Sequence, residues 1–92
     1  VISVDDHPNA DKLFVVTLED APNSTRTVCA GFKGIYSKEE LIGKNVIFVA
    51  NLKPRKLRGV MSEGMLLAAD DGDGKVSLLT FEKDMPSGSQ VR

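Results

Sequence analysis

The sequence predicts an all-β domain, a small Greek-key barrel of about five strands with one short helix. Three observations carry that expectation. Short apolar segments rich in Val, Ile, Leu and Phe recur along the chain, turn-forming residues separate them, and helix-capping chemistry occurs at a single place. A sandwich of immunoglobulin type needs about seven strands and ~100 residues, which is more than these 92 residues supply.

Each element has its own warrant. Val1-Ile2-Ser3-Val4 reads as the end of a strand whose start lies before Val1, so residues 1–92 are expected to be a single domain of a longer polypeptide. His7-Pro8-Asn9 is a turn, and the β-branched run 13–18 is the next strand. Ala21-Pro22-Asn23-Ser24 is a loop leading into a strand at 26–30. Ser37-Lys38-Glu39-Glu40 has the spacing of a capping box: Ser37 can accept from a first-turn amide while Glu40 reaches back to the Ser37 amide. Leu41 and Ile42 give that turn an apolar side, and Gly43 is placed to stop it. Residues 46–50, 65–69 and 76–81 are further strands, the last two joined by a tight hairpin at 70–74. Pro86-Ser87-Gly88-Ser89 reads as a turn before a short strand at Gln90-Val91. Strands in this number with one helix before the fourth core strand point to the OB-fold, a five-stranded Greek-key barrel that binds oligonucleotides or oligosaccharides.

Charge is unevenly distributed. The net charge is −1, but residues 1–20 carry −4, residues 21–62 carry +6 and residues 63–92 carry −3. A domain polarised in this way can attract phosphate on one face while another repels it. The basic excess peaks between two apolar segments, where Lys53, Arg55, Lys56 and Arg58 fall within six positions and no carboxylate appears until Glu63. Alternation along Lys56-Leu57-Arg58 predicts Lys56 and Arg58 on one face with Leu57 inside.

Catalytic material is scarce. With one His and one Cys the chain cannot assemble a zinc site from those ligands, and no metal or other cofactor is expected. His7 reads as a turn residue and Cys29, in Thr27-Val28-Cys29-Ala30, as a buried strand position. Asp70 to Gly74 superficially resembles a calcium loop, but Lys75 and Val76 interrupt the oxygen ligands. The lone cysteine fits a reducing, cytoplasmic setting, and no apolar run approaches the ~20 residues of a membrane span. No enzyme is read in this segment.

The run Asn51-Leu52-Lys53-Pro54-Arg55-Lys56-Leu57-Arg58-Gly59-Val60, followed by Ser62-Glu63-Gly64-Met65-Leu66-Leu67-Ala68-Ala69, closely resembles the tRNA-binding domain shared by several aminoacyl-tRNA synthetases and their accessory factors. The group includes the C-terminal domain of methionyl-tRNA synthetase and endothelial monocyte-activating polypeptide II. His7-Pro8-Asn9-Ala10-Asp11-Lys12-Leu13 resembles the family's His-Pro-x-Ala-Asp-x-Leu turn, and residues 36–44 give a looser match. Where the family often has Ser-Gly-Leu, this chain has Ala30-Gly31-Phe32 and lacks the hydroxyl.

The resemblance implies an OB-fold that holds the tRNA elbow by shape and backbone. It implies Asn51, Lys53, Arg58, Ser62 and Met65 as the core of the site: Arg58 and Lys53 on phosphate, Asn51 and Ser62 on phosphate or ribose oxygens, Met65 against sugar or base. Arg55 and Lys56 are expected as auxiliary cations, with Arg26 and Lys33 across the groove. Phe32 and Tyr36 are candidates for stacking on bases or for the core, whereas Phe14, Phe48 and Phe81 are read as core. The implied partners are tRNA and an aminoacyl-tRNA synthetase, in cis or in trans. Some family members dimerise, and pairing of two copies is left open here. The rival reading is a protein-interaction or cytokine-like signalling module of the polypeptide II type.

Overall fold

The computed structural model describes residues 1–91. Three antiparallel strands form its largest sheet in the order β1 (Ser3–Asp6), β2 (Phe14–Ala21) and β3 (Ser24–Ala30). A helical turn, α1 (Lys38–Leu41), precedes six shorter strands: β4 (Phe48–Val49), β5 (Arg55–Leu57), β6 (Val60–Ser62), β7 (Met65–Leu66), β8 (Ala68–Asp70) and β9 (Val76–Leu78). β4 pairs with β7, β5 with β6, and β8 with β9. The chain is therefore mostly β with one short helix. Among the described residues the ladders form four separate sheets, rather than a single ladder run closed through five strands.

The long strand β2 organises the core because its period-two pattern is nearly perfect. Phe14, Val16 and Leu18 are buried while the residues between them are half-buried. Val4 of β1 and Val28 and Ala30 of β3 pack beside them, and Phe32, Leu41 and Leu66 cover the cluster. Burying one such aliphatic or aromatic side chain stabilises the fold by about 1.5–3 kcal/mol. Phe32 is thus core, and Tyr36 joins it edge to face with ring centroids 6.0 Å apart. The Tyr36 hydroxyl accepts from the Leu78 amide at 3.0 Å, so neither ring is an exposed stacking platform.

The capping box forms as expected. The Glu40 amide donates to the Ser37 hydroxyl at 3.1 Å, and the Ser37 amide donates to the Glu40 carboxylate at 2.9 Å. The hairpin at 70–74 also forms, closed by the Asp70 and Asp71 carboxylates, which accept from the amides of Gly72, Asp73 and Lys75. Residues 65–69, expected as one strand, divide into β7 and β8, which pair with different partners. Gln90-Val91 is not a strand. Cys29 is half-buried, and desolvation pushes its thiol up. No helix among the described residues is long and apolar enough to cross a membrane.

The outer edge of β3 is sealed largely by side chains. The Cys29 amide donates to the Ser62 hydroxyl at 2.9 Å, the Thr27 amide donates to the Glu63 carboxylate at 3.2 Å, and the Glu63 amide donates to the Thr27 carbonyl at 2.8 Å. Gly64 lets this segment approach β4: a Cβ there would sit 2.7 Å from the Val49 carbonyl oxygen and 3.3 Å from the Phe48 ring. Since the first of these neighbours is backbone, Gly64→Ala is expected to destabilise the domain by about 1–3 kcal/mol, read as a lowered denaturation midpoint.

At one end of β1, Asp6 pairs with both Lys33 (3.2 Å) and Lys38 (3.0 Å). Hydrogen bonds from Lys38 and then Lys33 hold its carboxyl below the ordinary value, and the Ser37 amide does the same for Glu40. A carboxyl whose folded pKa is depressed contributes stability above its unfolded pKa, and that contribution is lost as pH falls through the folded one. Denaturation of the wild type is therefore expected to become easier below the ordinary carboxylate range of about 4, and Asp6→Asn is expected to flatten that acid limb.

Candidate nucleic-acid interface

The basic segment folds as a two-stranded ribbon. Arg55, Lys56 and Leu57 pair with Ser62, Met61 and Val60, and Arg58-Gly59 form a two-residue turn. Such short hairpins favour turns with positive φ at both central residues, and here φ is 52° at Arg58 and 92° at Gly59. Arg58 is therefore the first turn residue and does not continue the alternation beyond Leu57. Asn is the favoured residue there, because a side chain in the left-handed region costs about 1 kcal/mol or more unless it is Gly or Asn.

The ribbon has two faces. Leu57 and Val60 are half-buried and Ser62 is buried, whereas Lys56 and the Met61 opposite it are exposed. Lys53, Arg55, Lys56 and Arg58 are all exposed, and among the described residues none lies within ion-pair distance of a carboxylate. Asn51 is exposed at the base, and Met65 stands 56% exposed at the start of β7. Met61 was missed in the sequence, although the alternation Val60-Met61-Ser62 carries its signal.

Three expected site residues are engaged elsewhere. Ser62 is buried, and its hydroxyl accepts from the Cys29 amide and donates its one proton to the Gly64 carbonyl at 3.1 Å. Arg26 is a structural clamp. Its Nε donates to Asp20 at 3.3 Å, its Nη1 donates to the Ala50 carbonyl at 2.9 Å and the Glu63 carbonyl at 3.1 Å, and its guanidinium carbon lies 5.6 Å from the Phe48 ring centroid. Asp20 reaches it from a bulge in β2, where the register skips between Glu19 and Ala21. Lys33 is held by Asp6.

Two residues on the His-Pro turn contribute contacts that the sequence pattern did not disclose. His7 is buried, and its Nε2 donates to the Leu57 carbonyl at 2.7 Å. Asn9 donates from Nδ2 to the Arg58 carbonyl at 3.1 Å. Both meet the ribbon near its tip, beside a recess of about 370 Å³ lined by residues 9–13 and Arg58. A larger groove of about 950 Å³, between Phe48, Ile2 and Met85, reaches Ala50 and Asn51 but none of the ribbon residues. The cations of the ribbon face outward from the protein, which suits a large polyanion better than a small enclosed ligand. No group of three or more His, Cys, Asp or Glu side chains is gathered for a metal ion among the described residues.

Arg58→Asn is expected to relieve backbone strain and stabilise the fold by about 1 kcal/mol, a rise of about 4–8 °C in Tm for a domain of this size. Thermal unfolding followed by circular dichroism checks it; a lowered Tm would mean the left-handed turn is not strained.

Residues 1–90 match the protein family described as "Putative tRNA binding domain". The chain is 54% identical over its full 92 residues to a methionine–tRNA ligase of Pyrococcus furiosus, of which it covers 12%. It thus spans about an eighth of the length of that relative. Among solved structures, a MetRS-related protein from Pyrococcus horikoshii superposes with a TM-score of 0.90 at 38% identity, covering all of this chain and 84% of that one. The CsaA chaperone protein of Picrophilus torridus superposes with a TM-score of 0.87 at 30% identity, covering 99% of this chain and 84% of the other. The chain belongs to the tRNA-binding domain family whose members include C-terminal regions of methionyl-tRNA synthetases.

Proposed function

We propose that this domain is a non-catalytic, cytoplasmic module that holds folded tRNA by its shape and backbone and delivers it to an aminoacyl-tRNA synthetase, in cis or in trans. The observation that carries the reading is the β5–β6 ribbon, where Arg55, Lys56 and Arg58, together with Lys53 just before it, are exposed and free of carboxylates among the described residues, with Arg58 in the left-handed turn at the tip. Folded RNA suits such a ribbon because its deep major groove excludes side chains while its phosphates and 2′-hydroxyls remain accessible. In this reading Arg58 offers a forked pair of donors to one phosphate, and Lys53, Arg55 and Lys56 act on neighbouring phosphates. Asn51 donates to a phosphate or ribose oxygen, while Met61 and Met65 pack against sugar or base.

The architecture proposed is an OB-type barrel. The three-stranded sheet, with the far edge of β3 bonded to Ser62 and Glu63, supports it. A tethered module of this kind assists a synthetase through effective concentration, so modest affinity suffices.

Filter binding of unfractionated tRNA, with duplex and single-stranded RNA as competitors, tests the proposal. Neutralising about four phosphates predicts a loss of about fiftyfold or more in affinity on a fourfold rise in salt. Arg58→Ala is expected to weaken binding severalfold and to reduce the salt slope by about one. Salt-insensitive binding, or equal competition by all three RNAs, would overturn the reading.

A further inference from the structure

The tip of the ribbon is fastened from outside the ribbon. β5 and β6 pair over only three residues each, and a two-stranded hairpin alone is marginal in water. Its turn is also held in a left-handed conformation at Arg58. Contacts from another part of the chain must therefore set where the Arg58 side chain starts.

Those contacts are a pair of hydrogen bonds to consecutive carbonyls. His7 Nε2 donates to Leu57 at 2.7 Å, and Asn9 Nδ2 donates to Arg58 at 3.1 Å. The two donors form one unit, since the Asn9 amide donates to His7 Nδ1 at 3.0 Å. Nδ1 as acceptor places the ring hydrogen on Nε2, where it is needed for Leu57. Pro8 fixes the backbone between the two residues, and the His7 amide closes the turn on the Leu13 carbonyl at 3.1 Å. His7 is 5% exposed, so the unit is anchored in the protein interior.

We infer that His7 and Asn9 are positioning residues for Arg58, acting on RNA binding through the backbone of the turn and not by touching RNA. The inference rests on the reading of the ribbon as the RNA contact. Holding Leu57 and Arg58 in place beforehand lowers the ordering that binding would otherwise require, so the guanidinium meets phosphate from a fixed base.

A double-mutant cycle with unfractionated tRNA tests it. Asn9→Ala is expected to weaken binding about threefold to tenfold when Arg58 is present, and by less than about twofold in the Arg58→Ala background. A direct Asn9 contact with RNA would instead give the same loss in both backgrounds, and no loss in either would show that the latch does not matter; each result overturns the inference. His7→Gln, which retains a donor for the Leu57 carbonyl, is expected to keep more affinity than His7→Leu, and equal losses in the two variants would count against His7. Since Asn9 is exposed, its variant keeps the test sound even where His7→Leu fails to fold. Failure of the unmodified chain to bind tRNA, or an unchanged affinity in Arg58→Ala alone, would overturn the ribbon reading and the inference together. Additive losses with an active Arg58 overturn the inference alone.

Discussion

The guanidinium of Arg26 ties the three-stranded sheet to both ends of the basic segment. From β3 it reaches the bulged Asp20 of β2, the carbonyl of Ala50 just before the basic segment, and the carbonyl of Glu63 just after it. Both ends of the ribbon are thereby fixed at one point, over the face of Phe48. A half-buried cation satisfied by a carboxylate and two carbonyls holds its geometry because losing any one partner would leave polar groups partly desolvated and unpaired. The base of the ribbon is consequently held in place against β3. Ser62 and Glu63 extend the same arrangement by completing the edge of β3.

This packing also sharpens the charge pattern. Of the cations in the basic middle of the chain, Arg26, Lys33 and Lys38 are paired with Asp20 and Asp6 of the acidic N-terminal stretch. The positive charge left unpaired is concentrated on the ribbon. A weakly acidic protein can therefore offer a strongly basic surface, because Asp6 and Asp20 offset cations that hold the fold together while the ribbon's cations stay unpaired among the described residues.

Much of the fold was legible because its signals are local. The capping box at Ser37 and Glu40, the alternation of β2 and the Asp-Gly hairpin each depend on a few neighbouring residues, and each appears in the structure. The apolar run 65–69 was misread as one strand because an uninterrupted run does not show where its partner changes from β4 to β9. In the site, residue type identified the exposed cations but not the occupied groups. The Ser62 hydroxyl and the Arg26 guanidinium look available in a sequence, and only the approach of Cys29, Gly64, Ala50 and Glu63 shows them taken. His7 illustrates the converse. A motif drew attention to its turn, but its hydrogen bond to Leu57, 50 residues away, has no local signature.

The position of β1 at the margin of its sheet bears on how the protein behaves when crowded. A margin strand exposes unpaired amides and carbonyls that invite a neighbouring molecule to add a strand, the first step towards aggregation. Here that strand is only four residues long, and its last two, Asp5 and Asp6, are exposed carboxylates. Lys33 and Lys38 close over Asp6 from the loop and the helix beyond. A second copy approaching that end of the margin would have to displace both lysines and bring two like-charged Asp-Asp pairs together, which disfavours the addition of a strand there.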